Sequence, residues 1–97
     1  MESYVMGHHH FQSVWTPIVG EMLECSREER NRYDSNAVGV YKREGRSLLL
    51  VGRVPRELSD DFARALDRGR KISCRITGPR ENQRRRGLEV PCTYIIQ

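Results

Sequence analysis

A helical period appears in only one stretch of this chain, and that constrains the fold more than any single motif. Between Pro55 and Arg68, Leu58, Phe62, Ala65 and Leu66 recur at the spacing that lines one face of a helix. Pro55 suits the first turn, where its missing N–H costs nothing. Glu57, Asp60 and Asp61 lie near the positive end of the helix dipole, and Gly69 offers a left-handed cap. Elsewhere the apolar residues fall in short runs cut by Gly, Pro and charge. Lys71–Thr77 alternates Ile72, Cys74 and Ile76 with polar residues, as a half-buried antiparallel strand does. Ala37–Tyr41 reads as a strand leading into a hairpin turn at Gly45. Its partner Ser47–Val54 holds the run Leu48-Leu49-Leu50-Val51, which predicts burial on both faces. Further strands are expected running into Met6, across Phe11–Trp15, over Ile18–Cys25 and over Leu88–Ile96. A short helical turn is expected around Ser26–Arg30, and a polar loop over Gly78–Gly87. One helix among several short strands predicts a small β-barrel or β-rich α+β domain.

Ninety-seven residues make one domain, 1–97, with room for a single core and none for a catalytic domain beside a binding domain. Seventeen Lys and Arg against thirteen Asp and Glu give a net charge of +4, which fits an anionic partner. Lys occurs only at Lys42 and Lys71, so nearly every cation is a planar guanidinium able to grip phosphate or stack on a base. Cys25, Cys74 and Cys92 show no CxxC spacing and lie on apolar stretches; they read as reduced core thiols of an intracellular protein. No apolar run is long enough to span a bilayer, so no membrane partner is expected. The run Arg84-Arg85-Arg86 is too short to count as a strong nuclear address.

The polar turn Asn31-Arg32-Tyr33-Asp34-Ser35-Asn36 leads straight into Ala37-Val38-Gly39-Val40-Tyr41. Val38 and Val40 can anchor it while Tyr33 offers a flat face and Asp34 and Asn36 offer hydrogen-bonding groups. Such a loop can hold polar groups still for a ligand. It is equally what a plain loop-to-strand corner requires, because Asn, Asp and Ser favour local turns.

Taken in order, Val5-Met6-Gly7, then Asn31 to Val40 with its Tyr-Asp-x-Asn-Ala-Val core, then Val51-Gly52-Arg53-Val54-Pro55-Arg56-Glu57-Leu58, resemble the HIRAN domain. That module occurs beside SWI/SNF-type DNA translocases of replication-fork repair and as stand-alone proteins. The resemblance covers roughly Val5 to Tyr94. It implies an OB-like antiparallel barrel with one main helix and a pocket for the 3′ end of single-stranded DNA. It further implies that Asp34 contacts the terminal 3′-hydroxyl, that Tyr33 packs on the last base and that Asn31 helps hold the end. His9, His10 and Phe11 would supply stacking and backbone contacts, and Arg53 and Arg56 would touch phosphates. At His9-His10-Phe11 and at Leu88 this chain departs from the family's aromatic pattern. The implied protein is a non-catalytic monomer without cofactor. Its partners would be single-stranded DNA 3′ ends and other DNA-repair proteins, and it would be nuclear if its source is eukaryotic.

Two other readings compete with end capture. Barrel edges accept peptides by strand addition, which would make this a protein-interaction module. An enzyme would need His8, His9, His10 and Asp34 as metal ligands; strand alternation would send His8 and His10 to one face and His9 to the other, so one ion could not gather all three. Met6-Gly7-His8-His9-His10 also resembles part of a purification tag. A tag would normally carry a longer His run at the extreme N-terminus, so these residues read as native.

Overall fold

A computed structural model describes residues 1–28, 31–83 and 87–97. Seven strands and one helix occur among them: β1 (Glu2–Val5), β2 (Met22–Arg27), β3 (Val38–Glu44), β4 (Ser47–Arg53), α1 (Arg56–Asp67), β5 (Ile72–Ile76), β6 (Glu81–Gln83) and β7 (Gly87–Ile96). All pairings are antiparallel, in the order β1-β7-β5-β2-β3-β4, with β6 alongside β7. The sheet curls until its two ends meet at Met6 and Arg53, which exchange backbone hydrogen bonds of 2.8 Å in each direction. A barrel removes the unpaired edges that an open sheet would expose. Closure depends on Gly52: a Cβ there would lie 2.3 Å from Val5 Cγ1 and 2.9 Å from the Met6 carbonyl. Any other residue would hold the two strands apart.

The helix forms where the period placed it. Phe62, Ala63 and Ala65 are buried, Leu58 and Leu66 pack against the same core, and Gly69 follows at φ 80°. The Phe62 ring meets Tyr94 edge-on with centroids 5.2 Å apart, and the Tyr94 hydroxyl donates to the Tyr4 carbonyl at 2.7 Å. Helix, β7 and β1 are thereby tied through one aromatic side chain whose polar tip is satisfied. Burial of Phe62 alone contributes roughly 1.5–3 kcal/mol. Ile72, Cys74 and Ile76 point inward from β5 as their alternation requires. The three cysteines are free, buried thiols, and desolvation pushes Cys25 up to about 12.

Five expectations are overturned. The polar loop expected over Gly78–Gly87 holds a strand, β6, because the first residues of β7, which neither β1 nor β5 reaches, offer its backbone antiparallel partners. Residues Phe11–Trp15 form no strand: His8–His10 wind into a short 3-10 turn, and the chain turns again through Val14 to bury Trp15. The indole then donates to Glu21, six residues on, at 2.9 Å, and this bond with the burial of the ring outweighs the β-propensity of the segment. The second strand starts at Met22, not Ile18, and Ile18 and Val19 are both more than half exposed. Ser26 and Arg27 belong to β2 instead of starting a helical turn, while Glu29 and Arg30 lie outside the described residues. The Leu48–Val51 run is buried on one face only. Alternation sends Val51 inward and Leu48, three residues back, to the opposite face, where it is 41% exposed; the register shift between Val40 and Tyr41 leaves Val51 as the extra residue between Leu50 and Gly52.

Candidate nucleic-acid interface

The loop between β2 and β3 is built by its own side chains. Asn31 Oδ1 accepts from the backbone N–H groups of Tyr33 (2.9 Å) and Asp34 (3.0 Å), and Asp34 Oδ1 accepts from Asn36 N–H (2.9 Å). These are the turns that Asn and Asp form for local reasons. Tertiary clamps then fix the loop to the barrel. Asn36 Nδ2 donates to Asp60 Oδ1 on α1 at 3.1 Å, and Arg27 donates to Asn36 Oδ1, to the Ser35 carbonyl and to both carboxylate oxygens of Asp67. The result is a stiff loop carrying one ring that packs on nothing: Tyr33 is 95% exposed.

Beside that ring lies a hollow of about 630 Å³ between the loop, the β1 end and the start of α1. His10, Asn31, Tyr33, Asp34, Arg53 and Arg56 all line it. Asp34 is half-buried there; one carboxylate oxygen braces Asn36, and the other accepts no hydrogen bond from the described residues. Arg56, the first residue of α1, is exposed, and its guanidinium has no partner among the described residues. Arg53 differs: it forks onto Glu28 through Nε (2.8 Å) and Nη2 (3.0 Å), and these bonds hold it protonated more firmly than usual. Much of its charge is therefore neutralised by a nearly buried carboxylate, and it acts as a wall more than as a free phosphate clamp.

The remaining expected residues are placed less directly. Phe11 does not line the hollow but holds the Arg53 guanidinium over its ring at 5.9 Å. His9 leaves the hollow, stacking on His10 with centroids 3.9 Å apart and packing toward Gly87. His8 is fully buried, edge-on to Trp15 at 5.3 Å and 3.5 Å from Arg80 Nη1. A tight turn rather than strand alternation buries His8 and leaves His9 and His10 together outside, and among the described residues no three His, Cys, Asp or Glu side chains gather as a metal set. The Arg84-Arg85-Arg86 stretch lies outside the described residues.

Sequence reasoning missed the hollow's second acid. Glu57 lines it together with Pro55 and Ser59, so the N-terminus of α1 opens onto the cavity. Its position two residues after a helix-starting proline signalled only a favourable dipole interaction.

A family model for the HIRAN domain matches residues 1–95. The chain belongs to the HIRAN family. HIRAN domains are nucleic-acid-binding modules, not catalytic ones. Among curated proteins none matches the chain. A crystal structure of a protein from Lactobacillus plantarum is similar to this HIRAN fold with a TM-score of 0.66 at 20% identity, over 99% of this chain and 91% of that one. At that identity the likeness speaks for the barrel alone. Among the described residues no helix is long and apolar enough to cross a membrane.

Proposed function

We propose that this domain binds the 3′-hydroxyl end of single-stranded DNA in the Asp34 hollow, as a non-catalytic module of DNA repair or replication-fork processing. The carrying observation is Asp34 itself, one oxygen anchored and the other uncommitted, beside the exposed face of Tyr33. A carboxylate accepts from a free hydroxyl, repels a terminal phosphate and finds no donor on an internal deoxynucleotide. Glu57 in the same hollow adds to that repulsion. The last base stacks on Tyr33, a contact that tolerates any sequence and contributes about 1–3 kcal/mol. Arg56 and the positive end of α1 meet the phosphate on the 5′ side of that base.

The test compares a short strand ending in 3′-hydroxyl with the same strand ending in 3′-phosphate, by fluorescence anisotropy at fixed salt. We expect the hydroxyl end to bind roughly 10–100-fold more tightly, the range for a hydrogen bond to a charged group. Asp34→Ala abolishes the preference. Asp34→Asn keeps the oxygen that accepts from Asn36 but presents an amide NH2 to the terminus, a donor that no longer repels a phosphate, so binding of the phosphate end rises. Equal affinity of the unaltered protein for both ends, or no binding, rejects the reading.

A further inference from the structure

A second hollow, about 710 Å³, lies on the other side of Tyr33, over the outer face of the β3–β4 hairpin. Its floor is apolar although it faces outward. Tyr41 pairs across the strands with Leu50, and Leu48 stands two residues further along on the same face. Gly39 lets that floor lie flat against the sheet: a Cβ there would come within 2.7 Å of Leu50 Cδ1 and 2.8 Å of Tyr41 Cε2. Arg32 and Arg53 stand at the wall, and the Arg32 guanidinium has no partner among the described residues. Both hollows share Asn31, Tyr33 and Arg53, so the surface continues from one to the other around a ring that neither side covers.

We infer that this second hollow holds the nucleotides immediately 5′ of the captured end. The inference rests on the end-capture reading and extends it. A ring standing free between two cavities presents two faces, so the terminal base can lie on one and its neighbour on the other. Beyond Tyr33, an aromatic and two leucines offer a floor for any base, and Arg32 faces the phosphates, Arg53 and Arg27 being held by Glu28 and Asp67. Continuity with the end site through Asn31, Tyr33 and Arg53, together with the uncommitted Arg32, selects a nucleic-acid strand over an apolar peptide. The domain then measures a run of several unpaired nucleotides, not just a terminus.

The experiment measures affinity for a dinucleotide and for a hexanucleotide, each with a 3′-hydroxyl, using the unaltered protein, Leu48→Asp and Arg32→Ala. Leu48 is exposed and Arg32 lies in the loop, so both variants should fold. The unaltered protein is expected to bind the longer strand at least tenfold more tightly. Leu48→Asp should remove most of that gain and Arg32→Ala part of it, with a much smaller loss for the dinucleotide, whose second base reaches only the Tyr33 end of the second hollow. Loss of equal size for both lengths, or no loss for either, overturns the second hollow as a strand site. Length-independent affinity with Tyr41 and Leu48 amide signals unmoved by DNA would give this face to a peptide instead, and also overturns it. The two readings fail separately: if 3′-hydroxyl preference persists under those outcomes, only the second hollow is lost, whereas absence of that preference in the unaltered protein removes end capture and this extension together.

Discussion

Two polar segments border the Asp34 hollow, and they are held in opposite ways. Loop 31–36 is braced from within by Asn31 and Asp34 and then clamped outward to Asp60 and Asp67. The turn at 7–11 has no such internal side-chain bracing. It is set by what it packs on: Trp15 beneath His8, Gly87 beside His9, and Arg53 above Phe11. The loop consequently brings three side chains, Asn31, Tyr33 and Asp34, to one cavity, whereas the turn delivers Gly7 and the one side chain of His10. Hydrogen bonds between sequence neighbours place polar groups independently of the rest of the fold. Packing places them according to residues tens of positions away.

That difference can be broken from either side. Removing the packing should cost the most. Trp15 is 2% exposed, so Trp15→Ala should lower stability by about 3–5 kcal/mol in urea denaturation; a loss below about 1 kcal/mol would mean the turn is held by something other than the indole. Removing the internal brace should leave the fold nearly intact and damage the site. Asn31→Ala frees two backbone N–H groups that water can reach, costing on the order of 1 kcal/mol in stability. End affinity should nevertheless fall about tenfold, because Asp34 and Tyr33 must then be ordered by the ligand. A smaller effect is expected at Arg56, which neither segment braces. Arg56→Ala should weaken both strand ends a few-fold, reduce the slope of log affinity against log salt by about one, and leave end preference untouched.

The same distinction explains what could be read in advance. The helix, β5 and the Asn31–Asn36 turn were legible because each is specified by residues within one or two turns of chain. The strand expected at Phe11–Trp15 was not, nor was the late start of the one expected over Ile18–Cys25, which begins only at Met22. Their apolar residues satisfy a strand pattern, but Trp15 finds Glu21 and the core, and the segment folds back on itself instead of pairing. Likewise nothing within the Leu48–Val51 run reveals that the face carrying Leu48 stays exposed while the one carrying Val51 is buried. Arg53 was foreseeable as a site residue, but its neutralisation by Glu28, twenty-five positions away, was not. Nor does linear order reveal that Glu57 shares a cavity with Asp34.

The smallest expected effect concerns the packed turn and distinguishes it from the loop by pH. His8 is fully buried, its Nδ1 has no partner among the described residues, and the groups facing it are Trp15, Arg80 and His9. Desolvation first, then the Arg80 charge and His9, hold its pKa below the ordinary 6.5. The unfolded chain therefore takes up a proton at a pH where the folded one still refuses it. Stability from this residue is complete above about 6.5 and declines as pH falls from there toward the depressed folded value. Urea midpoints between pH 7.5 and 5 should drop by less than a full proton's worth of slope. In His8→Phe, which keeps a ring against Trp15 but cannot titrate, that part of the slope should vanish. If the variant shows the same decline as the unaltered protein, His8 does not titrate on unfolding, and the turn is no more sensitive to acid than the loop it faces.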